Sequence, residues 1–277
     1  MIATVSDIID VMNELAPRSL AEKWDNIGLQ IGDPQKQVRH IWIALDPTLP
    51  VLDAACRAHV DLLITHHPLI FRPLKSIDFQ TPLGNLLHMA VRHQLAIFSA
   101  HTNLDSVAGG INDILAERIG LKDLQILRKT TEISDARPPE LNSTTSGLGR
   151  IGTLESPLAL IDFAKLVKNK MGLKTIQYAG KSSLMVKQAA VCSGSGSDLL
   201  SDFFASGSQV YISGDLKYHD ARDVEAADLG MIDIGHFSSE KLIIHALSGR
   251  LKTILPEKGF DVNVDACEVE RDPFLVL

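Results

Sequence analysis

Four histidines and two carboxylates in this chain stand at spacings that could hold metal ions. His66 and His67 are adjacent and follow the apolar run Leu62-Leu63-Ile64. His101 is followed four residues on by Asp105, and His236 four residues on by Glu240. Neighbouring residues on a regular strand point to opposite faces, but past a strand end the backbone can turn and two imidazoles can enter one crevice. His-x3-Asp and His-x3-Glu each put a nitrogen and a carboxylate one helical turn apart, on one side of the helix. Imidazole and carboxylate without thiolate suit Zn, Mn, Fe, Co or Ni better than Ca or Mg. Six donors exceed one tetrahedral ion and suit two ions bridged by a carboxylate or a water. Any one of these pairs alone has a plain alternative as surface or structural histidines. Together they carry the expectation of two divalent ions per chain on His66, His67, His101, Asp105, His236 and Glu240.

The elements that must position these groups follow from apolar patterning. Leu62–Thr65 is a short apolar run stopped by Pro68, as expected of a strand buried on both faces of a parallel sheet. In open α/β sheets ligands collect outside the carboxyl ends of such strands, which is where His66 and His67 fall. Residues 4–16 are expected to form a helix capped by Thr4 or Ser6. Strands are expected at 41–45, 62–65 and 96–99, with helices at 49–59 and 83–94 between them. Residues 131–150, rich in Ser, Thr, Pro and Gly, are expected to be a linker or mobile loop. After it the alternation resumes: strands near 151–154, 174–178, 187–192, 209–212 and 231–234, helices over 157–170, 198–206, 217–229 and 239–249. A closing strand or edge segment is expected within 257–277. Ser238 or Ser239 is expected to cap a helix starting near Glu240, which keeps that carboxylate ionised. The fold class is α/β: two similar domains, 1–130 and 151–277, with mostly parallel or mixed sheets flanked by helices.

The second half repeats the first. Val38–His67 overlays Val186–Asp215 at a shift of 148 without a gap, and Ala96–His101 overlays Met231–His236 at a shift of 135. Each copy ends its third strand in a histidine with a carboxylate four residues on. At the place of His66-His67 the second half has Gly214-Asp215. One composite site between the halves is therefore expected, not a site in each. Asp215, Tyr218 and His219 are expected near it, either supporting ligands or facing substrate. Trp24 reads as a packing anchor, and Asp25-Asn26 as a turn pair or as substrate contacts. Ser193-Gly194-Ser195-Gly196-Ser197-Asp198 is either a tight strand-to-helix turn or a loop whose N–H groups, at Gly194 and Gly196, hold a phosphate. His40, His59, His88, His93 and His245 are left as structural or surface residues.

Composition excludes several classes. The 277 residues carry a net charge of −7, which disfavours a nucleic-acid surface. No apolar run is long enough to span a membrane, and no basic-then-apolar leader opens the sequence. Cys56, Cys192 and Cys267 are too few and too scattered for a disulfide framework or a thiolate zinc site, and they fit a cytoplasmic protein.

The stretches Glu-Lys-Trp-Asp-Asn-Ile-Gly-Leu-Gln-Ile-Gly (22–32), Ile-Thr-His-His-Pro (64–68), His101-x3-Asp105, Ser-Gly-Asp-Leu-Lys-Tyr-His-Asp (213–220) and Gly-His-Phe-Ser-Ser-Glu (235–240) occur in order along the chain. They resemble the signature of the Ngg-one-interacting-factor-three family, whose bacterial members are often named GTP cyclohydrolase I type 2 homologs. The resemblance implies two similar α/β domains, a dinuclear metal site in the cleft between them and a toroidal homohexamer. It implies His66, His67, Asp105, His236 and Glu240 as ligands, Glu240 bridging, with His101 a further ligand or a close supporting group. Gly214-Asp215 stands where the family more often has Gly-Glu. The chain lacks the large inserted domain of longer relatives, and 131–150 is its expected vestige. The function expected is a metal-dependent hydrolase acting on a nucleotide-like substrate, with GTP cyclohydrolase-type ring opening as the version the resemblance offers. His101 or His219 would shuttle protons. The alternative is a regulatory assembly that binds metal or a partner without turnover.

Overall fold

The computed structural model describes residues 1–130 and 146–275. After β1 (Ala3–Thr4), Thr4 starts α1 (Val5–Leu15) with a capping box: its hydroxyl accepts from Asp7 N, and Asp7 accepts from Thr4 N. Val5, Ile8, Val11 and Met12 are the buried stripe of that helix. There follow β2 (Gly28–Ile31), β3 (Gln37–Val38), β4 (His40–Ala44), α2 (Leu49–Arg57), β5 (Leu62–Thr65), α3 (Pro82–Arg92), β6 (Ala96–Ser99) and α4 (Thr102–Ser106). The chain continues through α5 (Ile111–Ile119), β7 (Lys122–Lys129), β8 (Gly147–Ala159), α6 (Leu160–Met171), β9 (Gln177–Ala179) and β10 (Met185–Ser195). A 3-10 turn leads to α7 (Leu200–Ser206), then β11 (Val210–Gly214), α8 (Tyr218–Ala226), β12 (Gly230–Asp233), α9 (His236–Glu240), α10 (Leu242–Glu257) and β13 (Asn263–Ala266). No helix among the described residues is long and apolar enough to cross a membrane.

Two compact units result. The first joins Met1–Leu104 to Ile243–Arg271, and the second is Asp105–Leu242 with the residues from Asp272 on. The first unit's sheet runs β13-β4-β5-β6-β2: β13, β4, β5 and β6 are parallel, and β2 lies antiparallel on β6. Every residue of β5 and β6 is buried, so both need apolar side chains on both faces. Val51, Leu52 and Ala55 of α2 and Leu87 and Ala90 of α3 pack on Leu63 and Ile97. The second unit's sheet runs β7-β8-β10-β11-β12-β9, with β10, β11 and β12 parallel and β9 antiparallel on β12. Phe163, Val167 and Leu160 of α6 pack on Val191, Ile212 and Ile232.

The expected boundaries, 1–130 and 151–277, differ from this division. Residues 105–129 join the second unit because β7 pairs with β8 in a long antiparallel ladder. Residues 243–271 return to the first because β13 pairs with β4. The end of the expected linker, 147–150, is the start of β8, and residues 131–145 lie outside the described residues.

β4-β5-β6 in the first unit and β10-β11-β12 in the second are each three parallel strands with an antiparallel strand beyond the third, and the first unit adds β13 parallel to β4. Ile41 pairs with Leu62 and Ala189 with Val210, which keeps the shift of 148 for the first two strands. Leu62 pairs with Ala96 and Val210 with Gly230, so the third strands correspond at 134, not 135. The alignment of Ala96 with Met231 is therefore corrected by one residue. His236 is reached through one more residue, between Asp233 and the helix, where Gly235 takes φ +79°.

Candidate metal centre

The first unit gathers three imidazoles past the ends of β5 and β6. His66 N donates to Ala44 O and His67 N to Leu45 O, so pairing with β4 continues into the histidines. Thr65 Oγ1 donates to His67 O (2.7 Å) and Ser99 Oγ to His66 O (2.8 Å), which fixes the backbone that turns both rings inward. The rings of His66, His67 and His101 stand 5.1–5.4 Å apart, centroid to centroid. One nitrogen from each lies within 4.8 Å of the others, as a group that could hold a metal ion.

Each ring is oriented through Nδ1. His66 Nδ1 is 3.0 Å from Ala100 O, His67 Nδ1 2.7 Å from Asp46 Oδ1, and His101 Nδ1 3.0 Å from Asp25 Oδ1. Carbonyls and carboxylates only accept, so Nδ1 carries the proton and Nε2 presents its lone pair. Metal-binding histidines are held in this way, and the partner also raises their basicity.

Asp25 is specialised for this task. Its side chain is fully buried, and its second oxygen accepts from Thr102 N and Thr102 Oγ1. Burial pushes its carboxyl up, but the hydrogen bond and charge of His101 and the bonds from Thr102 outweigh this and hold it down at about 2. Both oxygens of Asp25 are thus committed, to His101 and to Thr102. Asn26 is exposed, and its Nδ2 donates to Ile70 O. Trp24 is no packing anchor, being 58% exposed.

In the second unit Gly235 turns the chain into α9, whose first and last residues are His236 and Glu240. His236 Nδ1 is 2.8 Å from Asp215 Oδ2, and its Nε2 is 3.0 Å from Glu240 Oε2. Asp215 thus supports a ligand candidate through one oxygen, as Asp25 does, while its side chain remains about half exposed. Asp233 accepts from Leu216 N and Gly235 N, tying together the two turns that carry Asp215 and His236. Ser239 does not cap a helix at Glu240. Its hydroxyl donates to His236 O and accepts from Gly194 N, because the helix starts at His236 and Glu240 ends it. Gly194, at φ +65°, leaves the space beside the acid: a Cβ there would stand 2.2 Å from Glu240 Oε1 and 3.4 Å from His236 Nε2. That cradle and the oxygen–nitrogen donor pair fit a divalent ion.

Asp105 lies in α4 and belongs to the second unit. Burial raises the Cys192 thiol far above its ordinary range, and the charges of Asp105 and Glu240 add to the rise, so both carboxylates lie near that thiol. In the Gly-Ser segment Ser193 N donates to Asn112 Oδ1, Gly194 N to Ser239 Oγ and Gly196 N to Gly214 O, so the N–H groups of Gly194 and Gly196 are engaged within the protein. Gly196 is small because Tyr211 and Ser213 press on it. Tyr218 and His219 are exposed on the first turn of α8, and neither belongs to a potential metal group among the described residues.

Two supporting residues went unforeseen. Asp46 follows β4 at the carboxyl end of a parallel strand, and that position was the available signal. Glu270 binds Leu45 N (2.8 Å) and Asp46 N (2.7 Å), fixing the turn that offers Asp46 to His67. Burial pushes the Glu270 carboxyl up, against these two bonds. Nothing local in the sequence signals a partner more than two hundred residues away.

Known proteins resemble this chain throughout its length. A Clostridium perfringens protein named GTP cyclohydrolase 1 type 2 homolog is 34% identical over 270 residues, covering 98% of both chains. A Bacillus subtilis protein of the same name is 27% identical over an alignment of 365 positions, with 98% of each chain covered, so it carries residues this chain lacks. The solved structure of a Bacillus cereus protein related to NIF3 matches with a TM-score of 0.92 at 27% identity, covering 100% of both chains. With residues 3–273 matching its model, this chain belongs to the Duf34/NIF3 (NGG1p interacting factor 3) family.

Proposed function

We propose that the protein holds two divalent ions per chain and acts as a metal-dependent hydrolase on a nucleotide-like substrate. The proposed ligands are His66, His67, His101, Asp105, His236 and Glu240, with Glu240 bridging. The observation that carries this reading is the common treatment of four imidazoles. Each has Nδ1 committed to a carboxylate or carbonyl, which presents Nε2 as a ligand atom. Three of the four partners are aspartates, Asp25 fully buried, and the fourth is the carbonyl of Ala100.

Bound ions would supply a Lewis acid and lower the pKa of water. Asp25, Asp46 and Asp215 orient the imidazoles toward them. Gly194 keeps the second face of Glu240 open. His219, exposed and outside the ligand set, is the residue assigned to pass protons to solvent. GTP cyclohydrolase-type ring opening is the specific reaction proposed, on the strength of the name its relatives carry. A cytoplasmic location and a toroidal homohexamer complete the reading. The test is turnover of GTP and other nucleoside triphosphates by metal-loaded protein, with and without chelator. Chelator-sensitive release of a ring-opened or hydrolysed product is expected. Metal-loaded protein that converts none of them would favour the non-catalytic assembly.

A further inference from the structure

Trp24 is a large aromatic side chain left in solvent beside the imidazole triad. It is 58% exposed, and its ring stands edge-on to His101, with centroids 6.0 Å apart and planes at 74°. Phe71, 50% exposed, stands 5.8 Å from the Trp24 ring with planes at 58°. Phe71 belongs to the loop that follows His67. Folding does not explain this pair. Burial of such a side chain would stabilise the protein by about 1.5–3 kcal/mol, and here most of that gain is forgone. Orienting His101 does not explain it either, since Asp25 performs that task through Nδ1.

We propose that Trp24, with Phe71 beside it, is a stacking platform that holds the planar heterocycle of the substrate next to the imidazole triad. Indole faces stack on any base, and at 58% exposure the Trp24 ring is accessible to a ligand. Lys23 precedes Trp24, and Arg72 and Lys75 follow Phe71 on its loop, all exposed and able to meet a phosphate carried by the heterocycle. The inference rests on the nucleotide reading of the site and supplies its base subsite.

Fluorescence reads this directly, because the chain has two tryptophans and Trp42→Phe leaves Trp24 as the reporter. The probe is guanosine monophosphate, with ribose 5-phosphate as the base-free control. Both are added to metal-stripped protein, so that loss of an ion cannot imitate loss of stacking. Saturable quenching by the nucleotide and none by the sugar phosphate is expected. In the otherwise unaltered chain, Trp24→Ala should weaken nucleotide binding in equilibrium dialysis about tenfold or more, while Trp24→Phe should retain most of it. Equal binding by Trp24→Ala and the parent overturns the proposal. So does a Trp24 shielded from acrylamide without nucleotide, which would mean that a second copy of the chain covers it. Metal content, measured separately, reports on the centre itself, so the two readings fail by different signs.

Discussion

Gly194→Ala should empty the metal centre without touching a ligand. Gly194 has φ +65°, and a Cβ there would lie 2.2 Å from Glu240 Oε1 and 3.2 Å from its Cδ. Ordinary contact requires the carboxylate to retreat by about 1 Å. Metal–ligand distances tolerate only about 0.2 Å. Glu240 is 3% exposed and its other oxygen is 3.0 Å from His236 Nε2, so it has little room to swing aside. The backbone adds about 1–2 kcal/mol for a non-glycine residue in left-handed geometry. Gly207→Ala separates the two effects: φ is +76° there, but nothing lies within 4 Å of the added carbon. Gly207→Ala should lose about 1–2 kcal/mol in chemical denaturation, and Gly194→Ala more than that because of the added contact with Glu240. After reconstitution, elemental analysis should find less metal in Gly194→Ala alone. A full complement of tightly held metal in Gly194→Ala would refute Glu240 as a ligand held in this position.

Asp61 accepts from Arg39 N and His40 N and pairs with Lys36 at 3.0 Å; burial pushes its carboxyl up, but these bonds win and hold it below the ordinary range. A depressed folded pKa gives stability that is present above the unfolded value and lost as pH falls through the folded one. Asp61→Asn should therefore cost about 1 kcal/mol at neutral pH, and that deficit should shrink below about pH 4 in denaturation curves; a constant deficit would contradict the assignment. Arg150 is buried, with Nε and Nη2 donating to Asp113, Nη2 also to Val107 O, and Nη1 to the carbonyls of Gly147 and Gly149. Arg150→Met should destabilise by about 3–5 kcal/mol, and adding Asp113→Leu should restore part of the loss.

The parallel strands were legible because apolar runs such as Leu62–Ile64 and Ala96–Phe98 have little use outside a doubly covered sheet. The placement of His66, His67, His101 and His236 just past such strands was legible for the same reason. The β7–β8 ladder was not, since Gly147 and Gly149 read as linker residues and Gly152 as part of a short strand near 151–154. In the structure they lie where a side chain would strike the neighbouring strands. The return of 243–271 to the first unit depends on β13 pairing with β4, a long-range choice that no local pattern records. Asp25-Asn26 was legible as a turn pair, since Asp25 N donates to Glu22 O and Asn26 N to Asp25 Oδ1. The burial of Asp25 against His101 and the exposure of Trp24 were not, because residue type suggested the opposite for each.

Metal stoichiometry of four proteins tests the proposed centre most directly. The parent chain, Glu240→Gln, His67→Ala and His245→Ala are purified, reconstituted with one divalent metal and analysed for metal per chain, with circular dichroism to confirm folding. Glu240→Gln keeps the shape of a buried side chain and removes its charge. His245 is exposed and stands 3.7 Å from Glu268, so its loss touches no ligand candidate. About two ions per chain are expected for the parent and for His245→Ala. At least one fewer is expected in both Glu240→Gln and His67→Ala, although 173 positions separate the two residues. Full metal content in both of those variants, with the fold intact, would contradict the centre proposed here.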